Sequence, residues 1–524
     1  MADVDFKFKQ KTPACRFTSK IASVMQRPFP REWLLSGSNL VLRKFEPALI
    51  QRAIDCLRPN NFSIMVVSRD FPGTWEKKEK WYGTEYTHGK IPDDLMADVR
   101  KAFAVSAKER IPKLHLPHQN QFIPTKLEVE KKDVKDPAPA PRMIRNDDLV
   151  RTWFKKDDTF WVPKANLIVS LKCPTIYASA ENSVKARIYT DLVKDALEEY
   201  SYDADLAGLE YNVTLDYRGL LVEVSGYNDK LSVLLGQVLI TMRDLDVQND
   251  RFDIIKDRLG RAYRNFAFQQ PNYQVSDFIT WFTCENEHTV GELSEVLPAV
   301  TIEAVRTFHR ELLSQFHLEI YVHGNLYKED GLKLTDMIVS TLKPRVLPRT
   351  QWPILRSFVY PPGSNYVFTS TLQDPANVNH AMELYLYVGS RADRQLRART
   401  FMLDQLTHEP AFDQLRTKEQ LGYAVYSGTR SSLTTLGFHF VIQSERDPEY
   451  LESRVNAFLV TYGKTLTAMS DADFANHKRS LIVKHLEKVK NLDQETGRHW
   501  NQVSNEYYDF EFGEDSGFSS FCCL

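Results

Sequence analysis

The sequence predicts an α+β fold of repeated domains, each a mostly antiparallel sheet packed with helices on one face. Three observations predict it. Residues 192–229 and 403–447 share one pattern of helix, corner with Leu-x-Tyr, strand, turn and strand. In the later copy, Phe438, Phe440 and Ile442 alternate onto one face, as a half-buried strand requires. Both copies then continue into amphipathic helices behind polar caps, and an antiparallel sheet with helices to one side is the economical way to bury both patterns.

The elements follow in chain order. Residues 45–71, "FEPALIQRAIDCLRPNNFSIMVVSRDF", resemble the helix and strand that close the first copy, "TIEAVRTFHRELL" and "FHLEIYVHGN". Residues 111–148 carry recurrent prolines, ending in "KDPAPAP", and read as an extended tether between two bodies. Asp229 and Asp447 are the expected N-caps of the helices after each hairpin, with Pro448 at the first helical position. Residues 251–282 parallel 473–510, the latter opened by a capping-box-like Ser470-x-x-Asp473. The first copy runs on past Trp281–Phe282 into its closing helix and strand, whereas the second stops at Leu524. The repeat is therefore expected to be incomplete at both ends of the chain.

Composition narrows the function classes. With 524 residues and 43% hydrophobic content, the chain holds more than one core. Lys and Arg number 67 against 69 Asp and Glu, a net charge of −2. No basic excess points to nucleic acid or anionic lipid. Cys15, Cys56, Cys173 and Cys284 lie far apart, and Cys522–Cys523 are adjacent and terminal. No CxxC is present for a zinc ribbon or redox motif, and the usage fits a reducing cytosol. "MADVDFKFKQ" lacks an apolar core, and no run of ~18 uncharged apolar residues occurs, so a soluble intracellular protein without membrane insertion is expected.

No H-x-x-E-H or H-E-x-x-H occurs, so no helix offers two histidines and a glutamate to zinc. His115-x-x-His118 lies in the proline-rich stretch, His477 and His485 are about two turns apart, and His408 in "HEPAF" has no second histidine. Neither a G-x-S-x-G elbow nor a P-loop is found. The corner "EPAFDQLRTKEQLGYAVYSG" (409–428) remains. Tyr423 matches Tyr211 of the first copy, so the tyrosine reads as partly structural. Ala204 stands where Arg416 does, so the arginine is not needed to build the corner. A guanidinium and a phenol are two donors suited to peptide carbonyls or a developing oxyanion, with Phe412 as an apolar wall. The bland alternative is a helix-end cation near the C-terminal dipole beside a strand tyrosine.

That corner, together with "LESRVNAFL", "LRPNNFSIMVVSRDF", "EKWYGTEY", "FIPT", "WFKKDD", "LAGLEYNV" and "GYNDK", resembles the insulysin and fungal a-factor pheromone-processing branch of the pitrilysin-type (M16) zinc metallopeptidases. The resemblance runs in order to about Phe512. It implies metallopeptidase-like domains: 1–110 as the later part of a second domain, 111–150 as the linker between halves, 151–355 as a third domain and 356–524 as a truncated fourth. It implies Arg416 and Tyr423 as catalytic contacts to substrate, Phe412 as a substrate-binding wall, and no metal ligand in this chain. Zinc would belong to the full-length enzyme and none to this chain, which alone would be inactive. Partners implied are peptide substrates, a zinc-bearing N-terminal half and a homodimer. The location implied is cytoplasmic, with a mitochondrial or peroxisomal pool. "GEDSGFSSFCCL" departs from the family. Two other readings stand beside the enzyme half: a non-catalytic peptide-binding scaffold or regulatory subunit of the same fold, and an incomplete gene model.

Overall fold

A computed structural model describes residues 1–37, 41, 43–68, 70–71, 73–106, 109, 118–129, 131, 134 and 136–510. The terminal "GEDSGFSSFCCL", with Cys522 and Cys523, and His115 lie outside them. The chain divides into two compact units: Arg27–Gln119, and Asp3–Gln26 together with the residues from Asn120 onward.

The unit Arg27–Gln119 holds helices Pro47–Ile54 and Asp93–Ala104 and a ladder of Lys77–Lys78 with Glu85–Tyr86. The expected helix forms, but the strand expected over "FSIMVVS" does not. A strand needs a neighbour for its N–H and C=O groups, and among the described residues of this unit the two-residue ladder is the one strand pairing. Met65 and Val67 are 88% and 90% exposed.

The larger unit builds two sheets. The first takes β1 (Arg142–Asn146), β2 (Val150–Lys156), β3 (Lys164–Lys172), α1 (Ala180–Leu206), β4 (Leu209–Asp216), β5 (Gly219–Tyr227), α2 (Asn228–Arg243), α3 (Asn249–Phe266), α4 (Pro271–Thr283), α5 (Ile302–Leu312), β6 (Gln315–Gly324) and α6 (Lys328–Leu342). Its order is β1-β2-β6-β3-β5-β4, antiparallel except for β2 against β6, with Arg345–Val346 added in parallel to β6. The second takes β7 (His380–Ser390), α7 (Arg394–Ala411), β8 (Val425–Ser431), β9 (Thr435–Ser444), α8 (Pro448–Thr467), α9 (Asp471–His485) and α10 (Leu492–Ser504), in the all-antiparallel order β7-β9-β8. The repeat is thus real: β3-α1-β4-β5-α2 and β7-α7-β8-β9-α8 follow one plan.

Alternation decides the faces. Leu167, Val169 and Leu171 of β3 with Leu318, Ile320 and Val322 of β6 bury one face against α1, α2 and α5. Phe438, Phe440 and Ile442 of β9 do the same under α8, meeting Val455 and Phe458. Truncating a fully buried phenylalanine such as Phe440 to alanine costs about 3–5 kcal/mol.

Asp447 caps α8 by accepting from Tyr450 N at 2.8 Å behind Pro448, and Ser470 caps α9 by accepting from Asp473 N at 3.1 Å. Asp229 behaves otherwise. It is the second residue of α2, and its carboxylate accepts from Thr125 N (2.9 Å), Thr125 Oγ1 (3.1 Å) and Lys126 N (3.3 Å). The proline-rich stretch is therefore no free tether from Asn120 on. Phe122 is fully buried, Asn120 Nδ2 donates to Asp203 O at 2.6 Å, and β1 pairs with β2. Prolines there remove donors, and Asp229 and Asp158 of the folded body accept from the N–H groups of Thr125, Lys126 and Ala138.

Candidate functional site

The corner begins with a defect in α7. Pro410 lies inside that helix and has no N–H to give Leu406 O four residues earlier. The hydroxyl of buried Tyr462, on α8, donates to that oxygen instead. Just past the proline, Phe412–Lys418 winds as a π-helix, and Glu419 N donates to Gln414 O five residues back at 3.0 Å. The turn closes with Leu421 N donating to Leu415 O at 3.1 Å across Gln420, which is left-handed at φ 51°. Gly422 follows because nothing larger fits: a Cβ there would stand 1.9 Å from Gln443 O of β9.

Two anchors hold this geometry. Leu415, Leu421 and Val425 are buried in the core under the small sheet. Glu419 accepts from Arg454 of α8 through Nε at 2.7 Å and NH2 at 2.9 Å, and from Gln414 Nε2 at 2.8 Å. The Arg454 hydrogen bonds hold the Glu419 carboxyl below its usual range.

The anchored corner brings the three expected residues together. Arg416 Nε donates to Tyr423 O at 3.1 Å. Its guanidinium lies 4.7 Å from the Phe412 ring and 5.1 Å from the Tyr423 ring. Each such contact is worth about 0.5–1 kcal/mol at an exposed site. Among the described residues no carboxylate pairs with Arg416, and Tyr423 is 89% exposed. The site thus presents a phenol and the outer guanidinium nitrogens to solvent on a fixed frame. The tyrosine is not shared structure after all. Tyr211 sits inside β4 packed against the large core, and Ala204 is buried in α1, whereas Tyr423 precedes β8, is largely exposed and lies beside the Arg416 guanidinium.

The other histidines have ordinary surroundings. His408 Nδ1 is 3.2 Å from Ser427 O, and His485 stacks on Phe401 with its pKa lowered by burial. What sequence reasoning missed is a polar layer between the large sheet and α10. Lys155 Nζ bridges Asp158 (2.6 Å) and Glu495 (3.2 Å), His323 Nδ1 meets Thr496 Oγ1 (2.8 Å), and Tyr321 OH meets His499 Nδ1 (2.9 Å). His323 Nε2 and Glu495 Oε2 approach to 3.1 Å without hydrogen-bond alignment, so that contact is electrostatic. The glutamate and histidines here are the donor types a metal would want, but an ammonium, a hydroxyl and a phenol already engage them. Among the described residues no group of three or more His, Cys, Asp or Glu is placed to hold a metal ion.

The family model described as the middle or third domain of peptidase M16 matches residues 6–296, more than half of the chain. The chain belongs to the M16 peptidase family. A second model, the C-terminal lobe domain 4 of PqqF-like PQQ synthase, matches residues 402–500, which contain the corner. Human insulin-degrading enzyme is 35% identical over 517 residues, covering 97% of this chain and 49% of that protein. The A-factor-processing enzyme of Saccharomyces cerevisiae is 32% identical over 517 residues with the same coverage. The chain therefore spans about half the length of the curated relatives it matches. The crystal structure of pitrilysin superposes with a TM-score of 0.75 at 21% identity, covering 100% of this chain and 54% of that one, a likeness of fold. M16 is a family of zinc metallopeptidases, and no described helix of this member is long and apolar enough to cross a membrane.

Proposed function

We propose that this chain is the C-terminal half of an insulysin-like zinc metalloendopeptidase that encloses and degrades or processes peptides, with Phe412, Arg416 and Tyr423 gripping the extended substrate. The observation that carries this reading is the exposed pair of donors at a corner that α7, β9 and α8 hold in place. A guanidinium without a carboxylate partner and a free phenol donate to peptide carbonyls. Such donors gain strength as a carbonyl oxygen takes on charge, so they favour the transition state over the bound peptide. In this reading the metal step belongs to an N-terminal half carrying H-x-x-E-H, a motif that these 524 residues do not contain, and the chain alone is inactive. In this reading residues 1–110 complete a second domain, 111–150 link the halves, and 151–355 and 356–524 are the third and fourth domains of a cytoplasmic enzyme.

Absence of the metal motif from the 524 residues favours a second reading, a non-catalytic peptide-binding scaffold of the same fold. One experiment separates them. The purified chain is assayed for zinc and for cleavage of a quenched peptide, alone and with an M16 N-terminal half. The enzyme reading expects no zinc and no cleavage alone, and cleavage on mixing. Peptide binding without cleavage on mixing supports the scaffold, and stoichiometric zinc in the chain alone contradicts both.

A further inference from the structure

Two helices change places between the repeats. α4 belongs to the first copy yet packs on the second sheet, where Arg430 of β8 donates to Ser276 Oγ at 3.1 Å and to Thr280 Oγ1 at 3.0 Å. Its counterpart α10 packs on the first sheet, with Val503 beside Trp153, Ile168 and Tyr321. Between the C-terminal ends of these two helices and the β4–β5 and β8–β9 turns lies a cavity of about 260 Å³. The closing helix and strand of the first copy, α5 and β6, take no part in its walls.

The walls carry opposite charges that lack partners. Arg391, just past β7, pairs with no carboxylate among the described residues. Its guanidinium has only long contacts, to Ser432 O (3.4 Å) and Asn505 Oδ1 (3.5 Å), and the Tyr507 ring at 5.8 Å. Asp216, at the end of β4, makes no ion pair among the described residues, and burial pushes its carboxyl up against the pull of Arg218. Arg218 is 4% exposed, and its Nε has no hydrogen-bond partner although NH1 donates to Glu506 Oε1 at 2.9 Å. Arg430 adds a third guanidinium to the lining, held by Glu383 at 3.2 Å. Charges sequestered without partners are costly unless something completes them.

The occupant must satisfy both signs. A plain anion would suit the guanidiniums but face the Asp216 carboxylate. A zwitterion offers a carboxylate to a guanidinium fork and an ammonium with three donors to Asp216. Three arginines against one aspartate leave room for a second carboxylate. The volume lies just under the roughly 300–1,000 Å³ of drug-sized sites, which suits a molecule of amino-acid size. We propose that this cavity binds a free acidic α-amino acid, with one carboxylate on Arg391, the ammonium on Asp216 and the other carboxylate towards Arg218 and Arg430.

The test is isothermal titration of the whole chain with L-glutamate, glutarate and inorganic phosphate at neutral pH. L-Glutamate is expected to bind at one site per chain, at least about ten-fold tighter than glutarate or phosphate, which lack the ammonium. Arg391→Gln is expected to weaken L-glutamate about 30-fold or more, as loss of one partner of a sequestered charge pair does. Asp216→Asn is expected to abolish the preference for L-glutamate over glutarate. The wild-type comparison among the three ligands relies on no variant. No saturable L-glutamate binding, L-glutamate binding no tighter than glutarate or phosphate, binding unchanged in Arg391→Gln, or a preference kept in Asp216→Asn would each overturn the proposal.

Discussion

Pro410 and Tyr462 form a compensating pair, and the compensation has a measurable size. Tyr462→Phe keeps the ring in its buried place and deletes only the hydroxyl that serves Leu406 O. A buried carbonyl left without a donor costs about 1–3 kcal/mol. For the larger unit, roughly 400 residues, that corresponds to about 1 °C in melting temperature per kcal/mol. Pro410→Ala restores the N–H that a helix normally gives the carbonyl four residues earlier. In that background Leu406 O has a main-chain donor, so removing the Tyr462 hydroxyl should cost close to nothing. The assay is a double-mutant cycle read as melting temperatures of wild type, Y462F, P410A and the double variant. The expected coupling is most of the Y462F effect. An equal drop for Tyr462→Phe in both backgrounds would refute the idea that the hydroxyl stands in for the missing N–H.

Two further predictions follow, one for the frame of the site and one for the buried histidines and Glu495 of the large sheet and α10. Gly422→Ala places a Cβ 1.9 Å from Gln443 O of β9, so the corner carrying Tyr423 must shift by about 1 Å or more; if the corner contacts substrate, complemented peptide cleavage should fall about 100-fold, and unchanged cleavage would show that the corner's position is immaterial. Burial lowers the pKa of both His499 and His317 to about 4 from an ordinary 6.5, and although burial alone would raise Glu495, its His323 and Lys155 neighbours bring it to about 2 from 4.5. The unfolded chain binds more protons than the folded one between pH 6.5 and 4 at the histidines and between 4.5 and 2 at the glutamate, so stability falls as pH drops through both windows. His499→Gln should flatten the slope between pH 6.5 and 4 in a pH series of thermal melts, and an unaltered slope would contradict the buried-neutral assignment.

Much of this was legible because it is local or periodic. The Phe438, Phe440 and Ile442 face, the Asp447 and Ser470 caps and the helix–corner–hairpin repeat all follow from spacing within a few residues. The gathering of Phe412, Arg416 and Tyr423 was legible because the three lie close in sequence around one helix-to-strand corner. Pairings across long separations left no mark. Asn166 Nδ2 donates to Asp493 Oδ1 at 3.0 Å, and Glu495, Thr496 and His499 on α10 are buried among polar residues of the sheet. By composition alone, that stripe of α10 reads as solvated. Asp229 misled for a related reason: an aspartate at a helix start is a cap by local rules, but the N–H groups of Thr125 and Lys126 compete for it from a segment about a hundred residues away. The strand expected at 62–68 shows the limit of pattern itself, since alternation can specify a strand's faces but not supply its neighbour.

The central claim is that the corner donors act on the substrate's reacting carbonyl, and the direct measurement is kcat/KM for a quenched peptide in a mixture of this chain with a zinc-bearing M16 N-terminal half. Arg416→Ala and Tyr423→Phe should each lower kcat/KM by about 10–1,000-fold, chiefly through kcat, as loss of one transition-state donor does, with melting temperature lowered by at most a few degrees, since Tyr423→Phe keeps the ring and Arg416→Ala forfeits only surface contacts. Wild-type kcat/KM in both variants, with the mixture active, would contradict the account.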